Sequence, residues 1–178
     1  MLDREQLTPI FRNHGFDDYK WIDPQRDVIV AQWVRFRCLF GCDSYGTFGS
    51  CPPAVPAVDE CRKMIGEYNS GVILHFPMNE EDLADYRKQS RRLYALEREI
   101  FLAGFYKTFL LAFCPCFYCP ECTAEGTREK CRNKKMSRPC AEAMGIDIYQ
   151  TARNAGYPIQ VIKNHGDPFN RYAFLLIH

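Results

Sequence analysis

The stretch Gly71-Val-Ile-Leu-His-Phe76 is a short apolar run bounded by a glycine and, at position 77, a proline. Such a run is typical of a fully buried strand. A second run, residues 107–113 (KTFLLAF), mixes apolar and aromatic residues and predicts another strand. Between them, apolar residues at helical spacing predict a long helix that is capped by Asn79 and ends at Gly104. The centre of the chain therefore indicates strands joined by a helix.

The rest of the chain continues this alternation. Helices are predicted over 4–14, over 57–68, and once or twice between 140 and 155, and strands over 27–36, 159–163 and 172–177. Residues 41–56 and 114–139 are rich in turn-forming residues and predict loops. The pattern predicts an α/β fold, with residues 1–178 forming a single-domain sandwich of a mixed sheet with flanking helices and two cysteine-rich metal-binding loops. Because each loop would follow a strand, we expect both at one edge of the sheet.

Composition narrows the classes of function. The chain has 178 residues and a net charge of +1, which gives no global reason to expect nucleic acid or an anionic membrane as a partner. No apolar run approaches the roughly 20 residues of a membrane span. The first fifteen residues mix acids and bases without a long apolar core, so we expect no signal peptide. We therefore expect a cytoplasmic, reducing location, in which ten cysteines are less suited to disulfides than to metal binding.

One cysteine group has the spacing Cys116-x2-Cys119-x2-Cys122-x8-Cys131. Three cysteines at successive three-residue steps can supply three corners of a cubane iron–sulfur cluster, and a more distant cysteine supplies the fourth. Structural zinc more often uses separated CxxC pairs, so this spacing favours iron–sulfur and leaves four-cysteine zinc as the alternative. Basic residues nearby either neutralise an anionic centre or form a solvated loop face. They are Arg128, Lys130, Arg132, Lys134, Lys135 and Arg138.

The other group, Cys38-x3-Cys42-x8-Cys51, runs into two prolines and supplies only three close ligands. Three ligands can leave one iron open for substrate, or a fourth cysteine can complete the set. Cys140 is the best candidate for that fourth ligand. Cys61 fits better as a core residue of its helix, and Cys114 is a possible substitute ligand. Both loops can also contribute to one shared centre.

The remaining polar residues give weaker signals. The four histidines are scattered, and His75, inside its apolar run, fits a hydrogen-bonded core residue better than a ligand. Glu142 and Asp147 are candidates for proton handling but fit helix caps or surface positions better. Arg35 and Arg37, on the predicted strand before the first group, either neutralise the site or face water. No catalytic triad, phosphate loop or dinucleotide fingerprint is present, so no catalytic residue is predicted.

These motifs together resemble a family of predicted metal-binding proteins, domain of unknown function 2284. The resemblance lies in the stretch from Trp33 to Gly46 with Cys51-Pro-Pro, in Pro115-Cys116 to Cys131-Arg132, and in 142–147, and it covers roughly residues 16–165. It implies a cysteine-rich, metal- or iron–sulfur-binding protein. The resemblance also implies Ser at position 140 and Gly at 114, where this chain has cysteines. The metal ligands that it implies are Cys38, Cys42, Cys51, Cys116, Cys119, Cys122 and Cys131.

Three functions follow from these cysteines. The leading hypothesis is a protein with one or two [4Fe–4S] clusters that transfers electrons or senses redox state, with a redox partner protein. The second is an enzyme that uses an open iron as a Lewis acid or sulfur acceptor. The third is a structural zinc module that serves as an interaction surface.

Overall fold

A computed structural model of the chain describes residues 4–164 and 166–178. The helices are α1 (Arg4–Asn13), α2 (Pro24–Asp27), α3 (Gln32–Gly41), α4 (Val58–Ile65), α5 (Leu83–Leu102) and α6 (Ile148–Asn154). The strands are β1 (Tyr19–Ile22), β2 (Gly71–Met78), β3 (Phe109–Leu111) and β4 (Phe169–Leu176). Two 3₁₀ turns cover Lys134–Met136 and Glu142–Met144. Among these helices, none is long and apolar enough to cross a bilayer.

The four strands form one antiparallel sheet in the order β1-β2-β4-β3, covered by helices on both faces. Successive residues of β2 and β4 alternate between two cores: Leu74 and Leu175 pack with α1 and α5, and Ile73 and Phe174 pack with α4 and α6. A central strand buried on both faces has no solvent side, which explains the unbroken apolar run at its start. The predicted α/β class with flanking helices is confirmed.

Several predicted elements are confirmed with shifted bounds. The strand predicted over 71–76 is β2, the strand over 107–113 is the shorter β3, and the long helix is α5. α5 begins three residues later than the predicted cap implies, because the Asp82 side chain accepts the Ala84 N–H at 2.8 Å, and not Asn79. The strand predicted over 172–177 begins at Phe169. All four strands pair antiparallel, so the predicted mixed sheet reduces to one isolated parallel bridge, Ala112 with Cys140, among the described residues.

Two strand predictions are wrong. Residues 27–36 do not form a strand: only Val30 makes an isolated bridge, and the chain becomes helical at Gln32. β-branched residues favour strands only where a partner strand is available, and here the neighbouring segment offers a single bridge. Residues 159–163 are irregular, because both edges of β4 are already paired, with β2 and β3. The sequence does not predict β1. The first cysteine group begins on α3 and not after a strand as predicted.

Candidate metal centre

The first cysteine group begins on α3 and ends in the turn that follows it. Cys38 lies in the last turn of α3, Cys42 is the residue that ends the helix, and Cys51 is buried with 4% of its surface exposed. The loop between them turns at Gly46, which has φ of +75°, a conformation that favours glycine. The Gly46 N–H donates to the Pro52 carbonyl at 2.8 Å and closes the loop. This closure brings Cys51 back towards the end of α3.

The two arginines near Cys38 have different surroundings. One guanidinium nitrogen of Arg35 donates to the carbonyls of Ala143 at 2.6 Å and Pro56 at 3.0 Å. Arg35 therefore ties α3 to the 3₁₀ turn Glu142–Met144. Arg37 is exposed and makes no ion pair or hydrogen bond with the described residues. This segment is a helix and not the predicted strand. Side chains two residues apart on a helix point in different directions, so Arg35 and Arg37 diverge.

Cys140 is brought to the first group by an extension of β3. The parallel bridge between Ala112 and Cys140 is supported by the Ala112 N–H, which donates to the Pro139 carbonyl at 2.8 Å. The Cys140 sulfur accepts the Ala143 N–H at 3.4 Å, and the residue is only 8% exposed. Cys140 is thus fixed by the backbone of the sheet beside the turn to which Arg35 ties α3.

The second cysteine group lies in the loop after β3, nearer to solvent. Asn133 Nδ2 donates to the Cys119 sulfur at 3.0 Å, and the Tyr94 hydroxyl from α5 donates to the Cys116 sulfur at 3.7 Å. Hydrogen bonds to sulfur stabilise negative charge on a metal-bound thiolate. All four cysteines of this group are partly exposed: Cys116, Cys119, Cys122 and Cys131.

The basic residues around the second group form a solvated face with one structural exception. Arg138 makes an ion pair with Glu97 of α5, with Nε and Oε1 2.8 Å apart, and the Glu97 side chain is 8% exposed. The same Glu97 oxygen accepts the Leu110 N–H at 2.9 Å, so the pair joins the end of the loop to α5 and β3. The other five are exposed: Arg128, Lys130, Arg132, Lys134 and Lys135.

The two cysteine loops contact each other directly. The Gly126 N–H of the second loop donates to the Gly46 carbonyl of the first at 2.6 Å. The rings of Phe48 and Phe117 meet edge to face with centroids 5.4 Å apart. The loops are therefore neighbours, although they are separated by more than sixty residues of sequence.

A cavity of about 820 Å³ lies beside the first group. Three arginines line this cavity: Arg37, Arg153 and Arg171. The sequence did not predict that these three would lie together. Arg171 lies on β4, and no local motif marks it in the sequence. The cavity is also lined by five cysteines: Cys38, Cys42, Cys51, Cys114 and Cys140. All ten cysteines of the chain are free thiols, as expected for a protein without disulfides.

The buried thiols of the first group share one electrostatic environment. Burial, together with the charges of Cys42, Cys38 and, from the second loop, Cys116, raises the pKa of Cys51 to about 12. Burial likewise raises the pKa of Cys140 well above its ordinary value. Placing several thiolates here is therefore costly unless a cation compensates them. No three Cys, His, Asp or Glu side chains within 4–164 and 166–178 already converge as metal ligands do, and the seven predicted ligands stay a prediction.

The two other candidate ligands differ in their contacts. Cys61 lies in the core on α4, where its sulfur contacts the Met144 sulfur at 3.6 Å and the Pro56 carbonyl at 3.7 Å. The prediction of a core cysteine is confirmed. Cys114 lines the cavity at its buried side, 3.8 Å from the Ser90 hydroxyl. Burial raises the pKa of Cys114 to about 12.

The predicted minor residues are placed as follows. His75 has both ring nitrogens within hydrogen-bond distance of acceptors, Asp18 Oδ2 at 2.6 Å and Asn170 Oδ1 at 2.7 Å. It is a hydrogen-bonded residue, as predicted. Asp147 caps α6 by accepting the Gln150 N–H at 3.0 Å. His165 lies outside the described residues.

Comparison with known proteins identifies the family. Residues 20–177 match the family model described as "Predicted metal-binding protein (DUF2284)". The chain belongs to this family, in agreement with the resemblance seen in its cysteine motifs. No curated protein and no solved structure matches the chain. The protein is therefore a cysteine-rich member of a predicted metal-binding family.

Proposed function

We propose that this protein holds two [4Fe–4S] clusters, one on each cysteine group, and uses them for electron transfer or redox sensing. The first cluster would be held by Cys38, Cys42 and Cys51 with Cys140 as the fourth ligand. The second would be held by the four cysteines of the loop after β3. The observation that carries the proposal is the direct contact between the two cysteine loops through Gly46, Gly126 and the Phe48–Phe117 pair.

The donor sets fit iron–sulfur chemistry. Iron–sulfur clusters are held by sets of four cysteine thiolates, and such clusters accept and donate single electrons. Cys140 lies in the same cavity as the first three cysteines, which supports a complete set of four there. The hydrogen bonds from Asn133 and Tyr94 to sulfur are of the kind that tunes cluster potential. The partial exposure of the second group suits electron exchange with a redox partner protein.

Spectroscopy of the reconstituted protein tests the proposal. The chain is purified and reconstituted without oxygen in the presence of iron, sulfide and zinc. We expect a brown protein with broad visible absorbance from thiolate-to-iron charge transfer, and an electron paramagnetic resonance signal after reduction. A colourless protein that retains stoichiometric zinc would instead support the structural zinc alternative, in which metal removal unfolds residues 114–140.

The cavity supports a second candidate function. Its volume of about 820 Å³ is within the range of small-molecule sites, about 300–1,000 Å³. An enzyme in which one iron of the first cluster stays open would need such a space for a substrate. Cys140→Ser separates the two functions. A fully ligated cluster loses iron in this variant. An open-site cluster keeps its iron, so Cys140→Ser and Cys61→Ser then have the same iron content.

A further inference from the structure

The cavity beside the first cysteine group is lined by arginines as well as by the thiols proposed to hold the first cluster. Three arginines line it, against two carboxylates, Glu142 and Asp147. Asp147 is already used, since it caps α6 through the Gln150 N–H. Cationic side chains in a concave, partly enclosed site favour a negatively charged ligand where no anionic group of the protein already neutralises them, so the partners of each arginine matter.

Arg171 reaches the cavity in a fixed position. Its guanidinium carbon lies 5.5 Å from the Tyr86 ring centroid and 5.4 Å from that of Phe169, and Nη2 pairs with Glu81 at 2.6 Å. Its Nε is buried without a hydrogen bond to any residue in the described part of the chain. Burial lowers the pKa of Arg171, but the charges of Tyr86 and Glu142 raise it more, so the net shift is upward. The Tyr86 hydroxyl itself makes no hydrogen bond of normal geometry with the described residues. A buried donor without an acceptor is costly, so the Arg171 guanidinium keeps hydrogen-bonding capacity that Glu81 does not use.

Arg37 supplies a second cationic group at the same cavity. It lies on α3 one turn after Trp33, and both residues line the cavity. Arg37 forms no ion pair or hydrogen bond within residues 4–164 and 166–178, so no carboxylate among these residues competes for it. Arginine binds carboxylates through two parallel hydrogen bonds, and these are among the strongest in proteins.

The remaining wall is suited to an apolar body. The rings of Trp33, Tyr45 and Tyr149 line the cavity together with Ile148. We infer that this cavity binds a small organic carboxylate, its charge held by Arg37 and Arg171 and its apolar part packed against Trp33 and Tyr149. This site goes beyond the proposed electron transfer, because the arginines and rings that form it are not metal ligands.

Calorimetric titration of the reconstituted protein tests this inference. The probes are acetate, benzoate and indole-3-acetate, each paired with its uncharged amide. We expect at least one aromatic carboxylate to bind, and to bind about tenfold more tightly than its amide. Arg37→Gln and Arg171→Gln should each weaken binding about tenfold. Arg98→Gln is the matched control, since Arg98 is exposed on α5 and does not line the cavity.

Three results would overturn the inference. The first is that every carboxylate binds with a Kd above about 10 mM, which is weak even for a fragment-sized ligand. The second is that each carboxylate and its amide bind equally tightly. The third is that both arginine variants bind the carboxylates as tightly as the wild type does. Arg37→Gln changes an exposed residue, so it stays informative if Arg171→Gln fails to fold. Iron content and visible absorbance of the same samples report on the clusters separately, so loss of iron and loss of carboxylate binding are distinguished.

Discussion

The two cysteine groups differ in how far the fold encloses them. In the first, Cys51 and Cys140 are buried beside a cavity where distant segments of the chain meet, although Cys38 is partly exposed and Cys42 is exposed. In the second, all four cysteines are partly exposed and five of six neighbouring basic residues are exposed too. The difference teaches that similar spacings of cysteines produce different environments, because burial depends on what packs over a loop. In the proposed function the enclosed group adjoins a ligand site and the open group meets a partner.

The largest expected effect comes from removing one thiol of each group. Cys51→Ser and Cys119→Ser should each lose about half of the reconstituted iron, because each cluster depends on four thiolates. Iron and acid-labile sulfide per chain measure this. Cys61→Ser is the control and should keep all of its iron, since Cys61 lies in the core.

The same variants test whether the two groups hold separate metal centres. If Cys51→Ser and Cys119→Ser each lose nearly all iron, the two loops share one centre. If Cys119→Ser loses none, the assignment of the second loop is wrong.

The next largest effect concerns the ion pair that holds the second loop. Glu97→Gln leaves Arg138 partly buried without its counter-charge and should lower the free energy of unfolding by about 3 kcal/mol. Asp59→Asn removes the exposed pair with Arg62 and should cost less than about 1 kcal/mol. Urea unfolding of the two variants measures the difference. Equal costs would show that the buried pair does not hold the loop.

The contact between the loops gives a smaller effect. A Cβ on Gly49 would lie 2.7 Å from the Ala124 Cβ and 3.1 Å from the Thr127 carbonyl, so the second loop must shift. Gly49→Ala should lower stability by about 1–3 kcal/mol and lower iron retention in both groups. Gly41→Ala is the matched control, because its Cβ meets nothing within 4 Å. Thermal unfolding and iron content are the measurements, and identical behaviour of the two variants would argue against a tight contact.

The smallest effect is a pH dependence on the side of the first group. The Arg26 hydrogen bond holds the pKa of Asp27 below its ordinary value of 3.8, against the opposing effect of burial. A lowered carboxyl pKa stabilises the folded state at any pH above 3.8, the ordinary pKa. The stabilisation is lost as the pH falls through the folded-state pKa. Asp27→Asn should therefore unfold about 2 °C lower than the wild type near pH 6. The difference should shrink below about pH 4, and a constant difference would contradict the assignment.

The sequence predicted the parts of the fold whose signal is local. β2 is a continuous apolar run and α5 has a long apolar stripe, so both were found. The segment before Cys38 misled because its β-branched residues favour a strand, although Trp33, Phe36 and Phe40 recur at the helical spacing that the structure adopts. That spacing was the available signal.

The candidate site was predictable only in part, for a related reason. The cysteine spacings and motifs are local, so a sequence can suggest the seven ligands, and these stay a prediction. The placement of Cys140 depends on a backbone bridge to Ala112, and that of Arg171 on the register of β4 with β2. Such pairings join residues far apart in sequence, and no spacing within one segment encodes them.

The bridge between Ala112 and Cys140 has a consequence for the order in which the site assembles. The four thiols of the second group lie within residues 116–131, so closing one short loop gathers them at small entropic cost. Cys140 joins the first group only across about a hundred residues of chain, which costs more entropy. If both groups bind metal as proposed, the ligands of the second can therefore be gathered before those of the first.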